Sequence, residues 1–301
     1  MTPARRYRTR WATAGVLMAL SPLGVARGQG AARDTTVRVS RDAVVDVSLR
    51  TGRLIVRGID GASGRVRAGR ADYQLRSTGT TLTLSAPHER GGVSSDGPLE
   101  LDLPRGVRLN VSTLSADVEI VDIDGSVDVR TTGGNIRLEG VRGRTVIETV
   151  SGDIGSTGST MQLRATTVSG AVRIREARGE LDLHTTSGDV SISGDALRRV
   201  VVDGMSGDVT IDSGIADDAR VRVTTHSGDV SLRLPESARG QLELSTFNGT
   251  LSAGGPLTLL PGDGARRRRS TRRYELGGGG ALQLDISTFN GDIRLLRGIR
   301  S

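Results

Sequence analysis

Apolar and polar residues alternate along most of the chain, and the alternation predicts short β-strands with one buried face. Before Gly188, Leu181 and Leu183 occupy every second position, and after it Val190 and Ile192 do the same. Strict alternation of this kind is typical of a half-buried strand. The apolar positions have odd numbers before the glycine and even numbers after it. The chain is therefore expected to bend at the glycine while the same set of side chains stays inward.

This corner recurs ten times, most often with the sequence Ser-Gly-Asp-Val. The step from Gly134 to Gly152 is repeated from Gly152 to Gly170, and the step from Gly207 to Gly228 is only slightly longer. A nearly fixed period of about 20 residues indicates a repeat architecture, in which each unit buries its apolar face against its neighbours. The central residues of the ten corners are Gly52, Ala116, Gly134, Gly152, Gly170, Gly188, Gly207, Gly228, Gly249 and Gly291.

The repeats predict an all-β fold, a β-solenoid of stacked two-strand coils with a period of 18 to 21 residues. The alternative is an antiparallel β meander in which each Ser-Gly pair forms a hairpin turn. The same residue types recur in columns of Thr, Ser, Gly and Asp around the corner. Stacked coils form ladders of like residues, whereas hairpins require only complementary partners, so the columns favour the solenoid. Glycine at the corner predicts a positive φ there.

The regularity of the repeats divides the chain into five segments. The first has the basic start, apolar run and small residues of a secretory signal, and the apolar run is too short to span a membrane stably. The predicted segments are a signal peptide at 1–30, irregular N-terminal β coils at 35–104, the regular rod at 105–251, a Gly- and Arg-rich insertion at 252–281 and the last coil at 282–297.

The insertion interrupts the repeat. The distance along the chain from the corner at Gly249 to the corner at Gly291 equals two of the longer repeat periods, which predicts an intervening coil that lacks its corner. The insertion is predicted to be an excursion from the rod. Deletion of Ala265–Tyr274 is accordingly expected to leave the fold and the melting temperature nearly unchanged.

The charge of the chain is unevenly distributed. The formal net charge is +7. Removing residues 1–30, which hold five arginines and no acids, lowers it to +2. A run of six arginines carries more positive charge than this net charge of +2. The rest of the chain after residue 30, the rod, is therefore mildly acidic. A duplex-binding face needs basic residues spread along one surface, and no nucleic-acid partner is therefore predicted. The chain has no cysteine, which excludes disulfides and thiolate metal sites.

The arginine run within the insertion predicts a partner of its own. Six guanidinium groups within eight residues would attract an anionic envelope polymer or an anionic lipid surface. A soluble loop without a ligand is the competing interpretation. The predicted contact residues are Arg266, Arg267, Arg268, Arg269, Arg272 and Arg273.

The remaining polar and aromatic residues predict no catalytic site, no cofactor and no metal. The Asp residues that follow most corners are interpreted as acceptors for backbone N–H groups of their turns. The three histidines are too scattered to suggest a metal site. The sequence shows no aromatic ladder of the kind that lines sugar-binding clefts, and Phe247 and Phe289 are predicted to pack at their corners.

Several motifs resemble those of a known bacterial family. Leu101–Thr113 has the form Leu-x-Leu-Pro-x-Gly-x-x-Leu-x-Val-x-Thr, repeated Ser-Gly-Asp-Val corners follow it, and Ser287–Ile293 reads Ser-Thr-Phe-Asn-Gly-Asp-Ile. From about Arg38 to Leu296 the chain is similar to the bacterial putative adhesin family, domain of unknown function 4097, a group of β-strand repeat proteins. The resemblance implies a solenoid-like β fold at the cell envelope and supplies no catalytic residues.

These observations predict a non-enzymatic extracytoplasmic β-repeat protein, an adhesin-like or cell-envelope scaffold and binding module. The protein is expected to be exported to the periplasm, the cell envelope or the extracellular space, without a transmembrane segment in its mature chain. Two alternatives stay open. One is a polysaccharide-active β-helix enzyme, and the other is an envelope-stress or regulatory module that acts through a partner protein.

Overall fold

The computed structural model describes residues 33–68, 73–78, 80–85, 97–255, 257–260 and 271–298. The predicted signal peptide at 1–30 lies outside these residues. The described residues form strands, turns and bends without a helix, so the prediction of an all-β fold is confirmed. No helix in these ranges is long and apolar enough to cross a membrane.

The structure has 22 strands in the described ranges, numbered here in chain order. The first eleven are β1 (Arg33–Arg38), β2 (Val44–Ile59), β3 (Ser63–Ala68), β4 (Gln74–Ser77), β5 (Thr81–Ser85), β6 (Leu99–Pro104), β7 (Arg108–Val121), β8 (Val127–Gly133), β9 (Ile136–Glu139), β10 (Arg142–Ser151) and β11 (Ile154–Thr157). The others are β12 (Thr160–Ser169), β13 (Val172–Ser187), β14 (Val190–Ser206), β15 (Val209–Ser227), β16 (Val230–Leu234), β17 (Gly240–Asn248), β18 (Leu251–Ala253), β19 (Thr258–Leu259), β20 (Thr271–Leu276), β21 (Leu282–Asn290) and β22 (Ile293–Arg297).

Consecutive repeats pair in parallel and at equivalent positions. In β10, Thr145 lies opposite Val127 of β8 on one side and opposite Leu163 of β12 on the other, so each partner is one full repeat away along the chain. The strands after the corner follow the same rule, since β11 pairs in parallel with β9 and β13. This parallel pairing is incompatible with an antiparallel meander, so that alternative is wrong for the repeats.

The strands before the corners form one row and the strands after them form another. Side chains from both rows bury themselves in a single hydrophobic core. Leu181 and Leu183 contribute from the first row of one repeat, and Val190 and Ile192 contribute from the second row. The change from odd to even positions across the corner therefore keeps the apolar side chains inward, as the sequence pattern predicted.

The last coil does not follow the chain order in the stack. β21 pairs in parallel with β15 on one side and with β17 on the other, and β22 lies likewise between β16 and β18. The corner at Gly291 donates its backbone N–H to the carbonyl of Asn248, which precedes the corner at Gly249. The two corners are therefore direct neighbours. The expected coil without a corner between them is absent from the described stack, and that expectation was wrong.

The opposite end of the stack has a matching arrangement. β2 pairs in parallel with β7 on one side and with β5 and β6 on the other. The N-terminal coil thus lies second in the stack, and strands that come later in the chain lie outside it. Antiparallel strands continue both ends: β4 pairs with β5, and β3 pairs with β6 and β1, whereas β20 pairs with β17 and β19.

Part of the predicted insertion belongs to this sheet. β20 runs antiparallel to β17 over six pairs, from Thr271 opposite Ser245 to Leu276 opposite Gly240. Leu276 is buried, and Tyr274 packs against the core. Deletion of Ala265–Tyr274 would remove most of a paired strand, so the structure favours a loss of stability, in contrast to the expectation from the sequence.

Candidate functional site

Several Thr and Ser residues of the repeated motif hydrogen-bond to the corners themselves. Thr149 Oγ1 donates to the carbonyl of Ser151 at 3.1 Å within one corner. Ser151 Oγ donates to the carbonyl of Thr132 in the preceding repeat at 3.2 Å. Ser169 and Ser187 repeat the second contact one and two coils later. These hydroxyls bond to backbone carbonyls at the corner, both within one coil and between neighbouring coils. The motif is therefore architectural.

Glycine at the corner has two structural causes. Gly170 has a φ of 133°, a backbone conformation that residues other than glycine rarely adopt. A Cβ built at Gly170 would also lie 2.2 Å from the carbonyl oxygen of Gly152 in the neighbouring coil. The predicted positive φ is confirmed at this corner. The close approach of successive corners is a second constraint, which the sequence did not reveal.

The Asp column beside the corners joins neighbouring coils. Asp153 Oδ1 accepts a hydrogen bond from the backbone N–H of Ala171 in the next repeat at 2.9 Å. Asp189 accepts in the same way from the N–H of Asp208, and Asp208 accepts from the N–H of Asp229. The acceptor role predicted for these residues is found, but the donor belongs to the next coil rather than to the same turn. Among the described residues, no group of three or more potential ligands could hold a metal ion.

One carboxylate of this column allows a pH test. The backbone N–H of Ala171 and the guanidinium of Arg173 hold the pKa of Asp153 below its ordinary value. Asp153→Ala is expected to cost about 1 kcal/mol of unfolding free energy at pH 7, because one hydrogen bond between coils is lost. Since the native pKa is lowered, the carboxylate contributes stability above about pH 4, and this contribution disappears as the pH falls through the native pKa. Urea unfolding of the wild type and of Asp153→Ala at pH 7 and at pH 2.5 measures the cost of the substitution at each pH.

Asp153→Asn provides the control for this test, because Asn135 already accepts the same hydrogen bond, from the N–H of Asp153, at 3.0 Å. The Asn variant should lose less stability than the Ala variant at pH 7. A cost of Asp153→Ala that stays constant between the two pH values would contradict the assigned role of the charged carboxylate.

The two described arginines of the cluster, Arg272 and Arg273, differ in their ion pairs. Arg273 Nε lies 3.1 Å from Glu243 Oε2 across the β17–β20 pair. Arg272 is exposed and forms no ion pair with another described residue. Arg266, Arg267, Arg268 and Arg269 lie outside the described residues. The predicted anionic-surface contact is thus untested, but one of its charges already has an acidic partner within the chain.

A row of aromatic rings lies on the outer surface at the C-terminal end of the stack. The His226 and Phe289 rings are stacked with centroids 5.0 Å apart, and the Phe289 and Phe247 rings follow at 4.9 Å. Phe247 is 67% exposed and Phe289 is 43% exposed. The phenylalanines pack at their corners as expected, but against the rings of neighbouring corners on the outer surface. The expectation that the chain has no aromatic ladder was wrong.

The ladder is the end of a longer exposed column. In every repeat, the residue two positions before the corner points outward, because the preceding position is turned inward. This column contains exposed apolar side chains along much of the stack, interrupted by Thr132 and Thr186 and preceded by Arg50 of the N-terminal coil. Its apolar and aromatic members, in stack order, are Leu114, Val150, Val168, Met205, His226, Phe289 and Phe247.

An open groove of about 1020 Å³ borders the aromatic rings. Its described lining includes the hydroxyls of Thr224, Ser287 and Ser245, one from each of three neighbouring coils. Thr271 and Arg272 line the same groove from β20, and Thr271 Oγ1 lies 3.3 Å from Ser245 Oγ. No described lining residue is acidic. The outward lining therefore combines apolar ring surface with neutral hydroxyls. Arg272 lies opposite the buried Leu244 in the β17–β20 pair, so its side chain is on the core-facing side of the sheet.

Sequence reasoning missed the ladder because it assumed that coils stack in chain order. His226 and Phe247 belong to successive corners, and only the insertion of β21 between their coils places Phe289 in contact with both rings. A signal was present, since the pentapeptide Ser-Thr-Phe-Asn-Gly occurs at both 245–249 and 287–291. Identical outward residues in two coils are expected when the coils are neighbours.

Comparisons with known proteins concern the fold. No curated protein matches the chain. A putative cell adhesion protein from Clostridium sporogenes matches with 12% identity, 89% coverage of this chain, 100% coverage of that chain and a TM-score of 0.25. A putative adhesin from Bacteroides fragilis matches with 13% identity, coverages of 88% and 97%, and a TM-score of 0.35.

The family assignment rests on a separate match, to a family model. Residues 77–296 fit the family model described as Toastrack DUF4097. These residues include the Leu-Pro segment before β7, the corner repeats and the last coil, the same motifs that carry the resemblance noted in the sequence. Because the match covers well over half of the chain, the protein belongs to the Toastrack DUF4097 family.

Proposed function

We propose that the protein is a non-enzymatic extracytoplasmic scaffold that binds cell-envelope material through the exposed column beside its corners. The column carries this proposal, because it places apolar side chains in a line on the outside of a stack whose own core is already buried. Exposed apolar side chains that are concentrated along one line in this way are typical of interaction sites. Export is supported by the basic, apolar and small-residue order of 1–30.

In this proposal the repeats form a β-solenoid of two-strand coils. The support is the constant offset of one repeat between partners such as Thr145 and Leu163, together with the two rows of strands around one core. Parallel neighbours lie about 4.8 Å apart, so each outward column presents regularly spaced side chains. A rigid line of this kind can contact an extended polymer or a flat surface at several points.

A non-enzymatic role is supported by what the acids of the corners do. Asp153, Asp208 and Asp229 each accept a backbone N–H from a neighbouring coil. Asp153 and Asp229 also contact arginines at 2.8 Å and 3.1 Å. Carboxylates engaged in this way stabilise the stack and are poorly placed for acid–base chemistry. The arginine cluster at 266–273 is a second proposed contact, for an anionic envelope polymer or lipid surface.

The triple variant Val150→Ser, Val168→Ser, Met205→Ser tests the column far from the aromatic groove. Each side chain is about half exposed, and burying its apolar surface on binding would contribute about 1 kcal/mol. The variant should therefore bind isolated cell-envelope fractions more than tenfold more weakly than the wild type, since a loss of about 1.4 kcal/mol corresponds to a factor of ten. Co-sedimentation of the purified chain without residues 1–30 gives the measurement.

Leu259→Ser is the matched control, because Leu259 is exposed on β19 outside the column. It should leave co-sedimentation unchanged, and melting curves of all variants should overlap with the wild-type curve. Absence of wild-type binding to any envelope fraction would refute the proposed function. Equal losses in the triple variant and the control would refute the role of the column.

A further inference from the structure

The terminal coil of the stack, formed by β17 and β18, has an outer edge that the described chain covers only in part. β20 pairs with β17 only as far as Ser245, and the described partner of β18 is β22 alone. The edge from Thr246 to Ala253 is therefore open on its outer side among the described residues. A row of unpaired backbone groups is a template for the addition of another strand.

The inner corners show which backbone groups this open edge presents. In the coils with corners from Gly152 to Gly291, the N–H groups of the corner glycine and of the residue two positions later donate to carbonyls of the next coil. Gly291 and Ile293 donate in this way to the terminal coil, at 3.0 Å and 2.9 Å. The equivalent groups of the terminal coil are the N–H groups of Gly249 and Leu251. No described residue accepts a hydrogen bond from either of them.

The aromatic ladder and the apolar core are open at the same edge. Phe289 stacks on one face of Phe247, and no described ring covers the other face, which lies toward the position of a further coil. Leu251 is only partly buried and Ala253 is exposed, whereas Ile293 at the equivalent position of the inner coil is buried. A ring two positions before an added corner and an aliphatic side chain two positions after it would therefore bury apolar surface.

The close approach of neighbouring corners restricts the residue at an added bend. A Cβ built at Gly249 would lie 2.0 Å from the carbonyl oxygen of Gly291, and one built at Gly291 would lie 2.1 Å from that of Gly228. An added corner would approach the Gly249 carbonyl in the same way, and only glycine fits so closely. Asn248 Nδ2 donates to Asn290 Oδ1 at 2.9 Å, so an asparagine before the added glycine can donate to Asn248 in turn. The edge therefore selects a segment of the form aromatic-Asn-Gly-x-aliphatic.

We propose that this edge binds an extended segment of another polypeptide, which adds in parallel as the next coil and carries an aromatic residue, a glycine and an aliphatic residue at every second position. The contacts are those that already join neighbouring coils, so the surface continues an established interface of the fold. Main-chain hydrogen bonds supply the affinity in this mode of recognition, and side-chain contacts supply the specificity. The groove of about 1020 Å³ extends over this edge, since Thr246, Gly249 and Leu251 line it. The inference goes beyond the proposed envelope binding and adds a protein partner.

A peptide with blocked ends and the sequence of residues 288–296, Thr-Phe-Asn-Gly-Asp-Ile-Arg-Leu-Leu, is the probe. This sequence contacts the terminal coil from its inner side in the structure and has the required pattern. NMR of the chain without residues 1–30 measures the exchange of individual amide protons. At a peptide concentration of about ten times the Kd, exchange of the Gly249 and Leu251 amide protons should slow about tenfold, because only the free edge exchanges. A peptide with Gly291→Ala should bind at least about tenfold more weakly.

Leu251→Ala and Leu251→Pro form a matched pair on the chain. Both remove the leucine side chain, but only proline also removes the outward N–H group. The proline variant should bind the peptide at least about tenfold more weakly than the alanine variant, with melting curves to check that both are folded. Phe247→Ala should weaken binding about tenfold, because the open ring face is lost, and Val150→Ser should leave it unchanged. Equal affinities of the two Leu251 variants would overturn the assignment.

Three further outcomes would also overturn it. Amide protons of Gly249 and Leu251 that are already protected in the free chain would show that the chain covers its own edge. Peptide binding that leaves both amide protons unprotected would place the peptide elsewhere, for example in exchange for the last coil. The third outcome is that neither the peptide nor its Gly291→Ala form binds. None of these results bears on co-sedimentation with envelope fractions, so the proposed function is tested separately.

Discussion

Leu183→Asp is expected to abolish cooperative folding of the chain. Leu183 is 1% exposed and lies between Ala165 and Val202 of the neighbouring coils. Truncation of a buried leucine alone costs about 2 to 5 kcal/mol, and a carboxylate buried there without a partner adds a further desolvation cost. The sum is comparable to the whole stability of an ordinary domain, about 5–15 kcal/mol. Thermal unfolding followed by circular dichroism should show no native transition.

Asp182→Leu is the control at the adjacent position. Asp182 faces outward, where it pairs with Arg164 at 2.7 Å and with His184 at 2.9 Å. Loss of partly exposed ion pairs costs only about 0–1 kcal/mol, so this variant should melt within a few degrees of the wild type. Similar destabilisation by the two substitutions would show that the inward and outward positions of β13 have been assigned wrongly.

Gly170→Ala should lower the stability by about 3 kcal/mol or more, although it adds a single methyl group. The backbone must keep a φ of 133°, and the new Cβ would lie 2.2 Å from the carbonyl oxygen of Gly152. Relief of this contact requires two neighbouring corners to move apart, which weakens their hydrogen bonds, and strained backbone of this kind costs about 1–3 kcal/mol by itself. The midpoint of urea unfolding measures the loss.

Gly155→Ala separates this effect from a general intolerance of alanine. Gly155 lies in β11 of the neighbouring coil, and the nearest atom to an added Cβ is the Ile136 carbonyl oxygen at 3.9 Å. Glycine inside a strand is unfavourable by about 0.5–1 kcal/mol relative to alanine, so this substitution should be neutral or stabilising. If both glycine variants lose the same stability, the close approach of the corners does not explain the repeated glycine.

The proposed binding surface was harder to predict from the sequence than the fold. The motif residues that stood out by repetition, Ser151, Gly152 and Asp153 in one coil, are engaged in the hydrogen bonds and close contacts of the corners themselves. The exposed residue two positions before each corner varies among Arg, Leu, Thr, Val, Met, His and Phe. Variation of side-chain type concealed a column that the structure makes continuous, because outward positions need no common shape to stack.

The sequence by itself determined the local structure of the repeats. Alternation identified the inward residues, such as Leu183 and Val190, and the glycine at each corner located the bends, since both depend on contacts within a few residues. The order of the coils was decided only in the tertiary structure. β21 lies between β15 and β17, so the last coil of the chain is not the last coil of the stack. Parallel strands with nearly identical sequences can pair in more than one order, and the chain connections at both ends select one of them. That selection brings His226, Phe289 and Phe247 together, because it joins residues that are far apart along the chain.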